Sequence, residues 1–270
     1  MPWREAASDA AGCSEMRNSA LTSRRGVRLF HPVPSGRLRL VCLPHAGGAA
    51  SYFRDWSKRL REGVELWAVQ YPGRENRLGD PLPADMDSLV DDVTEGIRGL
   101  LDRPVVIFGH SMGALVGYEV AQRLTGAGEH DAVRRLVVSG SAAPHLARPY
   151  PGQENASLLS DEQLVQAVKR FGVDGLQLLD DADMRSVLLP AIRNDYRLVQ
   201  SFIAEPRDVM DVEVTALVGR EDSFVDAEEA RAWSSVTNSQ FSFRAFPGGH
   251  FYLTQFRDEV LHAALDSIEV

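Results

Sequence analysis

The chain has 270 residues, with 29 lysines and arginines against 38 aspartates and glutamates, a formal net charge of −9. That length suits one α/β domain with an insertion and a large core, and the acidic balance argues against a general nucleic-acid binder. Cys13 and Cys42 make neither a disulfide framework nor a zinc spacing. No apolar stretch is long enough to span a membrane and no apolar secretory region opens the chain, so a cytoplasmic protein is expected.

Residues 1–26 are rich in Ala, Ser, Arg and Gly without a steady period, and read as a flexible leader ahead of one domain over 27–270. Val27–Phe30 is a candidate first edge strand. Arg37–Leu43 starts with alternation and turns continuously apolar, the pattern of a strand entering a sheet interior. It runs into Pro44–Gly48, a glycine-rich loop, after which Tyr52, Phe53, Trp56 and Leu60 recur at helical spacing. The loop lacks Gly-Lys-Ser/Thr and GxGxxG, which argues against a phosphate cradle. Glu65–Gln70 is the next strand, and a Pro72–Gly73 turn follows it. In that turn Arg74 and Glu75 stand out as charges that a tight, solvated bend does not need. An amphipathic helix from Met86 to Leu101 leads to the strand Val105–Phe108.

That strand ends in Gly109–His110–Ser111–Met112–Gly113 and passes at once into a helical pattern. A strand turning into a helix through Gly-x-Ser-x-Gly is the nucleophile elbow of α/β-hydrolases. Another strand follows at Val133–Ser139; from about Ala143 to Pro206 only helical patterns appear, the length of a lid over an active site. Strands resume at Val212–Gly219 and Ser239–Phe246, and a final helix carries Phe256, Val260, Leu261 and Leu265. The predicted architecture is therefore an α/β-hydrolase fold: a mostly parallel, doubly wound sheet, helices on both faces, and a helical lid at about 143–206.

A serine hydroxyl needs a base to take its proton, and in this fold the order along the chain is Ser, acid, His. His31, His45 and His110 precede Ser111, and His130 and His145 precede any strand able to carry the acid. His262 falls inside the last helix. His250, in a Gly-Gly loop after the last strand, is the candidate base. Asp222, just past the Val212–Gly219 strand, is the candidate acid, with Asp226 the nearest rival and better placed as a helix cap. The oxyanion hole is expected from the backbone N–H groups of Met112 and Ala46, with His45 or Gly47 as alternatives to Ala46. No metal-ligand set is apparent and no cofactor is expected.

Several stretches, in order, resemble one family. Leu43–Gly48 with Tyr52, Phe53 and Trp56, Gln70–Arg77, Gly109–Gly113, Leu189–Tyr196, Gly219–Asp222 and Pro247–Phe251 are similar to motifs of stand-alone type II thioesterases. Those enzymes act beside polyketide and nonribosomal peptide synthases. The likeness runs from about Arg37 to the C-terminus. It implies hydrolysis of acyl thioesters held on the phosphopantetheine arm of an acyl or peptidyl carrier protein, which would be the partner. A fatty acyl carrier hydrolase for medium chains, a general carboxylesterase and a non-catalytic docking protein are the competing readings, and a monomer is the default. Arg148, Lys169, Arg170 and Arg193 are candidates for a basic patch facing an acidic carrier.

Overall fold

The computed structural model describes residues 23–146, 155–170, 176–205 and 207–268. Eight strands form one sheet: β1 (Ser23–Arg24), β2 (Val27–Leu29), β3 (Leu38–Leu43), β4 (Val64–Val69), β5 (Val105–His110), β6 (Val133–Ser139), β7 (Glu213–Gly219) and β8 (Phe241–Phe246). Their spatial order is β1-β2-β4-β3-β5-β6-β7-β8. From β4 to β8 neighbours run parallel, and β1 and β2 add an antiparallel edge. β1 lies inside the stretch read as leader, because it folds back on β2 across a turn at Gly26; residues 1–22 are outside the described residues.

The continuous apolar runs follow from burial on both faces. Along β5, Val105 and Ile107 point into one core layer and Val106 and Phe108 into the other; β3 splits the same way, with Val41 and Leu43 opposite Leu40 and Cys42. Helices α1 (Met86–Arg98) and α2 (Met112–Gly126) cover the first layer. The second is covered by α6 (Arg257–Leu265) and by two short 3-10 turns, Ala50–Phe53 and Trp56–Arg59. These turns replace the helix expected after the glycine-rich loop. Phe53 and Trp56 sit three residues apart with ring centroids 5.1 Å from each other, a spacing that a 3-10 turn satisfies as well as an α-helix does.

Between β6 and β7 the described residues hold no strand. They include α3 (Asp161–Lys169), opened by a capping box at Ser160, a 3-10 turn at Leu176–Asp180, and α4 (Ala182–Ser201), which contains Pro190. Residues 147–154 and 171–175 of the expected lid, Arg148 among them, lie outside the described residues. α5 (Ala227–Arg231) follows β7. Among the described residues no helix is long and apolar enough to cross a membrane.

The chain leaves β3 toward β4 on one side, while β5 pairs with β3 on the other. Ligands of open parallel sheets sit at such a reversal, outside the carboxyl ends of the strands. The Pro44–Gly48 loop and Ser111 leave the sheet from that edge.

Candidate active site

Ser111 joins β5 to α2 with φ 56° and ψ −118°, a left-handed conformation costly for any residue but glycine. The surroundings hold it there. Its N–H donates to the Ser139 carbonyl at 2.8 Å and its carbonyl accepts the Ala114 N–H at 2.9 Å. The flanking glycines are required by contact: a Cβ on Gly109 would lie 2.0 Å from the Gly113 carbonyl oxygen, and one on Gly113 would lie 2.2 Å from that of Leu43. The second approach presses the first turn of α2 against the end of β3. Met112 and the loop that carries Ala46 are thereby neighbours.

His250 and Asp222 come from adjacent loops after β8 and β7. Those loops are tied by Arg220 N–H to the Phe246 carbonyl at 2.8 Å and by Glu221 N–H to the Gly248 carbonyl at 3.0 Å. His250 Nδ1 lies 2.8 Å from Asp222 Oδ2, with both side chains buried. The other carboxylate oxygen accepts the Phe224 N–H at 2.9 Å, which fixes its plane. The rival acid, Asp226, caps α5 by accepting from the Glu228 and Glu229 amides, both at 2.8 Å. His262 is exposed on α6.

Chain order removed His45 and His110 from the search for a base, yet the fold sets both beside it. The His110 ring is 4.9 Å from that of His250 and 6.1 Å from that of His45, whose edge meets Phe251 at 4.8 Å and Tyr52 at 5.0 Å. Burial first, and then the nearby His250 charge, push His45 down to about 3 and His110 well below its usual value. Both stay neutral when His250 carries a proton. His110 Nδ1 meets Ser139 Oγ at 2.9 Å, and Ser139 Oγ meets the Tyr252 hydroxyl at 2.7 Å. Burial pushes that phenol up, so it remains protonated.

A second buried cluster lies under the glycine-rich loop. Arg74 donates to Asp195, from the middle of α4, through Nη1 to Oδ2 at 2.6 Å and Nη2 to Oδ1 at 2.8 Å. The oddity of Arg74 was visible in its turn, but its partner 121 residues away was not. Of the proposed basic patch, Lys169 pairs with Asp180 at 2.6 Å. Arg193 donates to the Ala156 and Leu159 carbonyls at 2.5 and 2.7 Å and to Asp161 at 2.7 Å. Both are thus engaged inside the lid. Among the described residues no group of three or more His, Cys, Asp or Glu side chains could hold a metal ion.

The Thioesterase domain family matches residues 38–268. The "Probable cadicidin biosynthesis thioesterase" of Streptomyces griseus is 38% identical over 241 residues, covering 88% of this chain and 64% of that protein, so this chain spans less than two thirds of that relative. Thioesterase PikA5 of Streptomyces venezuelae is 34% identical over 247 residues, covering 90% of this chain and 85% of that protein. The structure of the type II thioesterase BorB from the borrelidin biosynthetic cluster superposes with a TM-score of 0.79 at 36% identity, over 88% of this chain and 96% of that one.

Proposed function

The chain belongs to the thioesterase domain family, and from that premise we propose that it is a type II thioesterase that cleaves acyl thioesters from the phosphopantetheine arm of carrier proteins. Ser111 is the nucleophile, His250 the base and Asp222 the acid. The observation that carries this reading is the buried 2.8 Å contact between His250 Nδ1 and Asp222, on loops that bring the imidazole to within 4.9 Å of the residue preceding the strained Ser111. The relatives, a thioesterase of cadicidin biosynthesis and a type II thioesterase from the borrelidin biosynthetic cluster, support a thioester as substrate.

The chemistry follows from the tautomer. Asp222 accepts a hydrogen bond from the Nδ1–H of His250, which leaves Nε2 as the basic nitrogen. It takes the Ser111 hydroxyl proton as Oγ attacks the thioester carbonyl. The carbonyl electrons move to oxygen, and the resulting oxyanion meets the Met112 and Ala46 N–H groups. Met112 opens α2, where amides have no partner within the helix, and the helix dipole favours negative charge there. Gly47 is a poorer donor than Ala46, since its N–H already donates to Asp195 at 2.7 Å. Collapse expels the thiolate, which leaves with the proton from His250. Water, deprotonated by His250, then attacks acyl-Ser111; collapse breaks the bond to Ser111 Oγ, which takes the proton back from His250 as the carboxylic acid is released.

The test compares one short acyl group on a carrier-protein arm, on a small-molecule thioester and on a matched oxygen ester. The carrier-bound thioester is expected to give the highest kcat/KM, and Ser111→Ala to lower it by on the order of 10⁶-fold while the protein stays folded. Faster cleavage of the oxygen ester would turn the assignment toward a carboxylesterase. Full activity in Ser111→Ala would remove the mechanism.

A further inference from the structure

The chemistry above gives no role to the buried charged cluster at the carboxyl ends of the strands: Arg74 and Asp195, 6% and 1% exposed. A buried ion pair is a poor way to hold two elements together, because apolar side chains of similar volume serve cohesion as well or better. This pair does something apolar side chains cannot. Asp195 Oδ2 also accepts the Gly47 N–H at 2.7 Å, and Arg74 Nη1 also donates to the Gly48 carbonyl at 3.0 Å. Two consecutive residues of the loop after β3 are therefore held by the two ends of one ion pair. Arg74 is anchored in turn through Nε to the Pro72 carbonyl at 3.2 Å.

The grip comes from the lid side. Ile192, one turn before Asp195 on α4, stands so close that a Cβ on Gly47 would be 3.2 Å from its Cγ1, and Gly47 itself has φ 78°. Ala46 packs both on the main core and on the lid cluster of Leu164, Leu189, Ile192 and Tyr196. The rest of the loop is fixed from the body, by the Tyr71 hydroxyl to the Pro44 carbonyl and by the Ala50 N–H to Gln70 Oε1, both at 3.1 Å. Only the stretch next to Ala46 depends on α4. Burial opposes the guanidinium charge, but the Asp195 carboxylate outweighs it and raises the Arg74 pKa. The guanidinium therefore keeps its charge although it is buried.

We propose that Arg74 and Asp195 are positioning residues that orient the oxyanion loop from the lid, so that the Ala46 N–H faces the Ser111 adduct only while α4 is seated. This rests on the assignment of Ser111 as nucleophile and Ala46 as donor. Oxyanion donors act in the transition state, so loss of alignment falls on kcat and leaves KM nearly unchanged.

The variant that separates positioning from cohesion is the double Arg74→Met/Asp195→Leu, which fills the same space with apolar atoms. It is expected to fold with a thermal midpoint near that of the parent. Its kcat on a small-molecule thioester should fall about 10²-fold, the loss typical of one oxyanion-hole donor, with KM and the acid limb of the pH profile unmoved. A folded double variant whose kcat stays within about threefold of the parent overturns the proposal. If it does not fold, hydrogen exchange on the parent protein decides. The Gly47 amide should be protected like the amides of α4, and exchange as fast as in an exposed loop overturns the proposal. Ser111→Ala is run alongside. An active parent, an inactive Ser111→Ala and an unimpaired double variant would defeat this inference alone, whereas an active Ser111→Ala would defeat the catalytic assignment beneath it.

Discussion

Two of the buried arginines, Arg39 and Arg74, lie at opposite ends of the sheet, each on a carboxylate, and their surroundings differ. At the amino ends of the strands, Arg39 on β3 donates through Nε to Glu65 on β4 at 3.3 Å, between residues that face each other in the parallel register. Arg39 has further partners, the Leu100 carbonyl at 2.6 Å and Asp102 at 2.5 Å. Glu65 in turn accepts the Val33 N–H at 3.1 Å, so this pair ties together the segments that lead into β3 and β5. At the carboxyl ends, Arg74 and Asp195 join a turn after β4 to a lid helix and hold backbone groups of a loop between them. The lower pair satisfies charges where strands begin. The upper pair makes the geometry of one loop depend on a distant element. A buried charge is informative about function when it is attached to backbone that has another task, and less so when it merely completes a sheet.

The sharpest way to break this contrast is Asp195→Ala. It leaves the Arg74 guanidinium buried without its carboxylate, which is expected to destabilise the fold by about 3–5 kcal/mol in denaturant titration and to lower the activity of the folded fraction as well. At the lower end, Glu65→Gln keeps an acceptor, and Arg39 keeps Asp102. A loss of about 1–2 kcal/mol is expected there, with kcat per folded molecule unchanged. A matching fall in kcat would erase the distinction between the ends.

Acid should sharpen it further, because the neutral buried histidines belong to the upper end only. His45 is held down to about 3 by burial, against about 6.5 in an unfolded chain. Between those values the unfolded chain binds a proton that the folded one does not, so stability falls as pH falls through that window. One such histidine contributes a slope of up to about 1.4 kcal/mol per pH unit. His45→Phe, which keeps a ring against Tyr52 and Phe251, is expected to flatten the acid limb of stability by that amount. An unchanged limb would mean that the His45 ring takes up its proton without unfolding.

The strands were legible because parallel strands buried on both faces leave nearly uninterrupted apolar runs, as at Val105–Phe108 and Leu136–Val138. The elbow was legible because its glycines are forced by contact. Three things were not. The segment after the glycine-rich loop read as a helix because Phe53 and Trp56 give the same local pattern in either helix type. His45 and His110 were removed by chain order, which excludes a role as base but says nothing of who surrounds the base. Asp195 falls inside a helical pattern ahead of β7, and a pairing across 121 residues leaves no periodic trace near either partner. Local patterns report local geometry, and the hold of Asp195 on the glycine-rich loop is not local.

The placement of the site along the sheet also sets an order of assembly. Ala46 and Ser111 follow β3 and β5, which pair with each other at the centre, while Asp222 and His250 follow β7 and β8 at the far edge. During synthesis the chain emerges amino end first. A ribosome that has exposed the elbow has not yet made His250, and β8 has no neighbour to pair with until β7 is in place. Under the proposed assignment, the nascent chain therefore carries Ser111 without its proton acceptor until the last strand is made and docks.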